Sequence, residues 1–106
     1  MRTYSVNRQR WEKLDIFNQM GNIASEVGRS YAYLKSEDKS RAEQAMYRAV
    51  DLLDATSSAL VKQKYAKAKE VLRAKEEYLR TFYDQTDLDG VERYFNHFAV
   101  AARTRH

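Results

Sequence analysis

The sequence predicts an all-α protein, a single small antiparallel four-helix bundle with no β-sheet. Three observations carry this. The chain has 106 residues, no proline and only three glycines, Gly21, Gly28 and Gly90, whereas a fold of many tight turns needs far more of both. Apolar residues recur at spacings of three and four in four separate stretches, the period of a helix with one buried face. A composition of 43% apolar and 32% charged residues suits one globular domain with one core.

Residues 1–9 lack that period and read as a flexible basic arm. Helix one is expected over residues 10–35. Phe17, Met20, Ala24, Val27, Tyr31 and Leu34 form its apolar seam, which Trp11 and Leu14 extend by one turn. Gly21, Ser25, Gly28 and Ala32 make a small-residue strip beside it. Each glycine inside a helix costs about 1 kcal/mol relative to alanine, a cost that the close approach of another helix would offset. Residues 35–40 are the first connection. Ser36, Asp38 and Ser40 are candidate caps, and Ser40 with Glu43 has the capping-box spacing. Helix two follows over 39–57, with Ala42, Ala45, Met46, Ala49, Leu52, Leu53 and Thr56 facing inward. Ser57 and Ser58 mark the second turn, and without glycine or proline there helices two and three nearly merge. Helix three covers 60–84, its stripe running through Val61, Tyr65, Ala68, Leu72, Leu79 and Phe82 with Lys75 as the interruption; Val71, Tyr78 and Tyr83 widen it. Residues 84–90 are the clearest loop, with Asp89 and Glu92 as a second capping box. Helix four spans 90–103 and buries Val91, Tyr94, Phe95, Phe98, Ala101 and Ala102, leaving 104–106 as a frayed tail.

The residue inventory argues against most enzymes. The absence of cysteine excludes disulfides, thiolate nucleophiles and cysteine zinc sites. His97 has Arg93 and Ala101 as its neighbours four residues away, and His106 is terminal, so neither has ligand partners at helical spacing. No catalytic, cofactor-binding or metal-binding residue is therefore expected. The first fifteen residues show no apolar signal core, and no apolar run is long enough to span a bilayer. A cytoplasmic setting away from membranes is the expectation.

Charge points to partners. The net charge is +4 and the isoelectric point is near 9.4. Residues 62–80 hold much of the excess, which makes Lys62, Lys69, Arg73 and Arg80 the candidates for contacting nucleic acid. A helix of this charge density is more often a solvated face. Glu26 and Arg29 have the spacing of an i,i+3 ion pair, and their position beside the small-residue strip also suits a charge-specific contact with another helix or a second subunit.

Two resemblances bear on function. Residues 21–29 contain a G-N-I-x-S-E-V-x-R pattern, and residues 94–103 read Y-F-x-x-F-x-x-A-A-R. With the blocks at 49–54 and 69–73 between them, the chain resembles a family of short uncharacterised prokaryotic all-helical proteins. That resemblance implies a small helical bundle in a bacterial cytoplasm and brings no functional residues with it. The family has a proline-containing turn after the second helix, which this chain lacks. Arg93 and His97 are similar to the Arg and His that HEPN-class RNA-cleaving domains carry on a late helix, but three residues separate them here where that motif has four to six.

The function expected from these readings is a non-enzymatic interaction module, self-associating as a homo-oligomer or binding a protein partner through helix one. The interface candidates are Phe17, Gly21, Ala24, Ser25, Glu26, Gly28, Arg29 and Ala32. Self-association through the seam would leave a contiguous apolar patch exposed. The alternatives are an RNA-binding accessory protein using the basic face of helix three, or a degenerate HEPN-like partner of a nucleotidyltransferase.

Overall fold

The structure, a computed structural model, describes residues 7–62 and 68–104, and only the backbone of residues 98, 99 and 101–104. It is all-α, with α1 (Arg8–Glu12), α2 (Ile16–Lys35), α3 (Lys39–Lys62), α4 (Ala68–Asp84) and α5 (Leu88–Thr104), and no strand among the described residues. The expectations for residues 1–6, for Tyr65 and for residues 105 and 106 lie outside the described residues, as do those for the side chains of Phe98, Ala101 and Ala102. Packing centres on α2, which lies against α3 and α5; α4 packs on α3 and only sparsely on α5.

The long first helix expected from Arg10 is instead two helices. The chain breaks at residues 13–15, where Asp15 takes an extended conformation and its carboxylate accepts the Asn18 N–H at 2.8 Å. This is an N-cap, and it satisfies one of the donors that a helix start leaves open. The buried Gln19 amide donates to the carbonyls of Trp11 at 3.0 Å and Leu14 at 3.1 Å, stitching the corner shut. The break frees Trp11 from the α2 axis, and its indole N–H donates to Thr56 Oγ1 on α3 at 2.8 Å. Leu14, expected on the seam, is exposed. Residues 7–9 do not belong to a loose arm: Asn7 caps α1, and Arg8 donates to Ser58 Oγ at 3.2 Å.

The α2 seam forms much as its spacing predicts. Met20, Ile23, Ala24, Val27 and Tyr31 are buried, with Phe17 and Leu34 half-buried. The turn expected at Ser57 and Ser58 is absent, because α3 runs through it to Lys62. Ser57 Oγ donates to the Asp54 carbonyl at 3.1 Å, so its hydroxyl is satisfied inside the helix and terminates nothing. The buried face of α4 is also turned from the expected stripe. It consists of Ala68, Val71, Ala74, Tyr78, Thr81 and Phe82, while Val61 and Leu72 are 60% and 44% exposed. Lys75 explains the rotation: it reaches Asp54 of α3 at 2.7 Å, which puts the edge of the α3–α4 contact where the centre was expected.

The turns are made without glycine. All three glycines lie within helices, and among the described residues the left-handed backbone positions are Glu37, Gln85 and Asp87. At the end of α2 the Glu37 N–H donates to the Leu34 carbonyl at 3.1 Å and the Asp38 N–H to that of Tyr33 at 2.9 Å. This is a Schellman closure with glutamate where glycine is usual. Asp38 then caps α3 through the Arg41 N–H at 3.2 Å, so Ser40 falls inside the helix and the Ser40–Glu43 box does not form. The loop expected over 84–90 is shorter than its polar composition suggests, since α5 begins at Leu88 and carries both Asp89 and Gly90 in its first turn. Asp89 is therefore not a cap; the Asp87 carbonyl accepts the Val91 N–H at 3.2 Å. Thr104 ends α5 rather than opening a frayed tail. A left-handed conformation costs a residue with a Cβ about 1–2 kcal/mol, partly offset by glycine's greater freedom in the unfolded chain. Glu37→Gly is therefore expected to stabilise the protein by about 0.5–1 kcal/mol, measured as a higher urea midpoint at unchanged slope.

At the centre, Tyr78 meets Tyr31, Phe82 and Phe95, with ring centroids 5.6, 6.2 and 6.3 Å away. Its hydroxyl lies 2.6 Å from Ser30 Oγ, which gives its own proton to the Val27 carbonyl. Tyr78 is thus the donor. Tyr31 likewise donates to Thr81 Oγ1 at 2.7 Å, whose proton goes to the Tyr78 carbonyl. Burial pushes Tyr31 up to about 12 and Tyr78 well above the ordinary tyrosine value of 10.0. Both groups ionise in the unfolded chain before they do in the folded one. Their contribution is complete below pH 10.0 and is lost as pH rises through about 12. Urea unfolding followed above pH 10.0 should show stability falling steadily, with a shallower fall in Tyr78→Phe. A flat profile there would contradict the burial of both hydroxyls.

Candidate binding face on α2 and α3

Asn22, Ser25, Glu26 and Arg29 stand at i, i+3, i+4 and i+7, which places them on one face of α2. They are also the polar residues of the G-N-I-x-S-E-V-x-R pattern. Together with Trp11, Tyr33, Arg48 and Leu52 they line an open hollow of about 680 Å³. Glu26 lies at its base and is only 6% exposed. Arg29 donates through Nη1 to Glu26 Oε1, and Arg48 of α3 donates through Nε to Oε2. The expected i,i+3 pair is present, and the contact with another helix is made within this chain. A carboxylate this buried requires such partners, because an unpaired one would lose its hydration without compensation. The two arginines differ: the Arg29 side chain is 62% exposed and that of Arg48 30%.

The other interface candidates are divided between core and surface. Ala24 is buried, Phe17, Gly21 and Gly28 are half-buried, and Ala32 is exposed. Gly28 faces α5, where a Cβ would meet Glu92 Oε2 at 3.3 Å, so the small residue gives that carboxylate room. None of the exposed large apolar residues lies on α2; among the described residues they are Leu14, Tyr47, Val61, Leu72, Tyr83, Tyr94 and Val100.

The nucleic-acid candidates do not gather into one basic surface. Lys69, Arg73 and Arg80 recur along one side of α4 with Glu76 among them. Arg80 pairs with Glu77 and Asp84, and Lys62, on α3, pairs with Glu12 at 3.2 Å. Lys69 and Arg73 join Arg93 in a groove of about 810 Å³ between α4 and α5, but Glu70, Glu77 and Asp87 line it too. Three positive and three negative groups cancel there. Tyr94, expected inside, borders this groove and donates to Glu70 Oε1 at 3.1 Å. Its hydroxyl is pushed up to about 12, by burial first and then by the Glu70 charge. Arg93 and His97 line a shallow hollow of about 290 Å³ with Asn96 and Val100.

Of the hollow's lining, the sequence marks Ser25, Glu26 and Arg29 as interface candidates and misses Trp11, Asn22, Tyr33, Arg48 and Leu52. Arg48 lies 22 positions from Glu26, and nothing local marks it as a partner. No described helix is long and apolar enough to cross a membrane. No family model, curated protein or solved structure matches the chain.

Proposed function

We propose that this chain is a non-enzymatic interaction module whose contact surface is the α2–α3 hollow, carried by four long helices that close as an antiparallel bundle. The observation that carries the reading is the buried Glu26 carboxylate holding two arginines at the edge of an open concave surface. Both carboxylate oxygens are engaged by guanidinium groups, an arrangement that fixes the three charged groups relative to one another. The apolar seam of α2 faces the chain's own core, so what α2 offers a partner is its polar face and not its hydrophobic one. The antiparallel arrangement is supported by cross-helix pairings. Glu26, midway along α2, meets Arg48 near the middle of α3, and Lys75 meets Asp54. Lys35 at the end of α2 meets Asp89 at the start of α5, while Gly28, farther back on α2, lies against Glu92, farther along α5.

A photo-crosslinking residue placed at Ser25, which is exposed on the hollow's edge, tests the contact surface in living cells. The control is the same residue at Glu76, exposed on α4. Ser25 should give discrete adducts that Glu76 does not, either with a second copy or with one partner chain. Light scattering over a range of concentration separates those two results. The absence of adducts at Ser25, or the same adducts at both positions, would overturn the reading.

A further inference from the structure

We infer that the α2–α3 hollow is a binding site for a carboxylate carried on a flat apolar group. This rests on the reading of that face as the contact surface and names the chemistry it takes. Each arginine engages Glu26 through one nitrogen only, whereas a guanidinium carries five N–H donors in a rigid plane. The remaining donors border a hollow whose charged residues, among those described, are Glu26, Arg29 and Arg48, a formal charge of +1. One monoanion balances that charge, and Arg pairs with carboxylates through two parallel hydrogen bonds. Glu26 is a positioning residue: from beneath, it holds the two guanidinium groups in place before a ligand arrives.

The walls specify the rest of the ligand. Tyr33, half-buried, supplies flat surface on the wall, and Trp11 and Leu52, both buried, show only a small part of theirs to the hollow. The Trp11 indole is held by Thr56 at 2.8 Å and its carbonyl by Gln19 at 3.0 Å. A wall already fixed loses little freedom on binding. The size of the hollow, about 680 Å³, falls within the usual range for small-molecule sites. A free aryl carboxylate and the C-terminal aromatic residue of another protein present the same chemistry.

Trp11 is the only tryptophan in the chain, so its emission reports on the hollow directly. The intact protein is titrated with benzoate, acetate and inorganic phosphate, each up to about 50 mM, and with a short peptide ending in phenylalanine, its terminal carboxyl free or amidated. Benzoate should shift Trp11 emission saturably, with acetate and phosphate at least about ten-fold weaker. Tighter binding of the free-carboxyl peptide than of benzoate would identify a protein C-terminus as the source; preference for benzoate would identify a small acid. Arg29→Gln should weaken benzoate about ten-fold with the thermal midpoint unchanged, because Arg48 still holds Glu26. No saturable change with benzoate, equal binding of phosphate, or an Arg29→Gln variant that binds like the parent would overturn the site. Crosslinks at Ser25 without benzoate binding would overturn the carboxylate site and leave the contact surface. Benzoate binding without crosslinks would do the reverse.

Discussion

Phe95→Ala should lower the unfolding free energy by about 3–5 kcal/mol, the range for removing a fully buried ring from a close-packed core. Phe95 has no exposed surface. It meets Tyr78 edge-on at 6.3 Å and Tyr94 at 5.3 Å. Its loss matters more than its area suggests because of where α5 is held. α5 packs extensively on α2 but only sparsely on α4, and the α4–α5 boundary is an open groove of about 810 Å³. Among described side chains the buried apolar anchors of α5 are Val91 and Phe95. Truncating the larger one also removes a ring neighbour from Tyr78, the residue that ties α4 to α2 through Ser30. The thermal midpoint should fall by roughly 10 °C or more. Amide exchange should show where the loss lies: α5 should open at lower free energy than α3, as expected when a helix loses its main anchor. A loss under about 1 kcal/mol would mean that α5 does not depend on this ring.

Much of the fold is legible in the sequence, and the failures have local causes. The spacing of Met20, Ala24, Val27 and Tyr31 identifies the buried face of α2 because a helix can bury only one stripe. The break at residues 13–15 escapes notice because Asp15 caps without glycine or proline nearby. Ser57 and Ser58 look like a turn, but a serine whose hydroxyl donates to a carbonyl one turn back is compatible with a helix. Gly90 misleads in the opposite sense: it reads as a loop residue and lies in the first turn of α5, while Glu37, Gln85 and Asp87 take the left-handed positions. The site divides in the same way. Glu26 and Arg29 are recognisable as a pair from their spacing, since i and i+3 are neighbours on a helix. Arg48 and Trp11 reach the hollow through tertiary packing and through the α1–α2 corner, neither of which leaves a periodic signal.

Arg48→Met should cost about 3 kcal/mol, the lower end of what breaking a buried ion pair costs. Glu26 would keep Arg29, but the Arg29 side chain is 62% exposed, and a pair that solvent reaches this freely contributes little. The carboxylate would then sit in the α2–α3 contact with its cross-helix donor replaced by a thioether. Removing the charge as well should recover much of the loss. Glu26→Gln combined with Arg48→Met is expected to be at least about 1 kcal/mol more stable than Arg48→Met alone, because coupled partners do not add. Arg29→Gln should stay within about 0.5 kcal/mol of the parent. Urea unfolding of the four proteins measures all three differences. Equal losses from the two arginine substitutions would mean that neither is specialised. The expected inequality instead divides the labour around one carboxylate: Arg48 secures Glu26 between the helices, and Arg29, held from below yet open to solvent, is available to a ligand without loosening the fold.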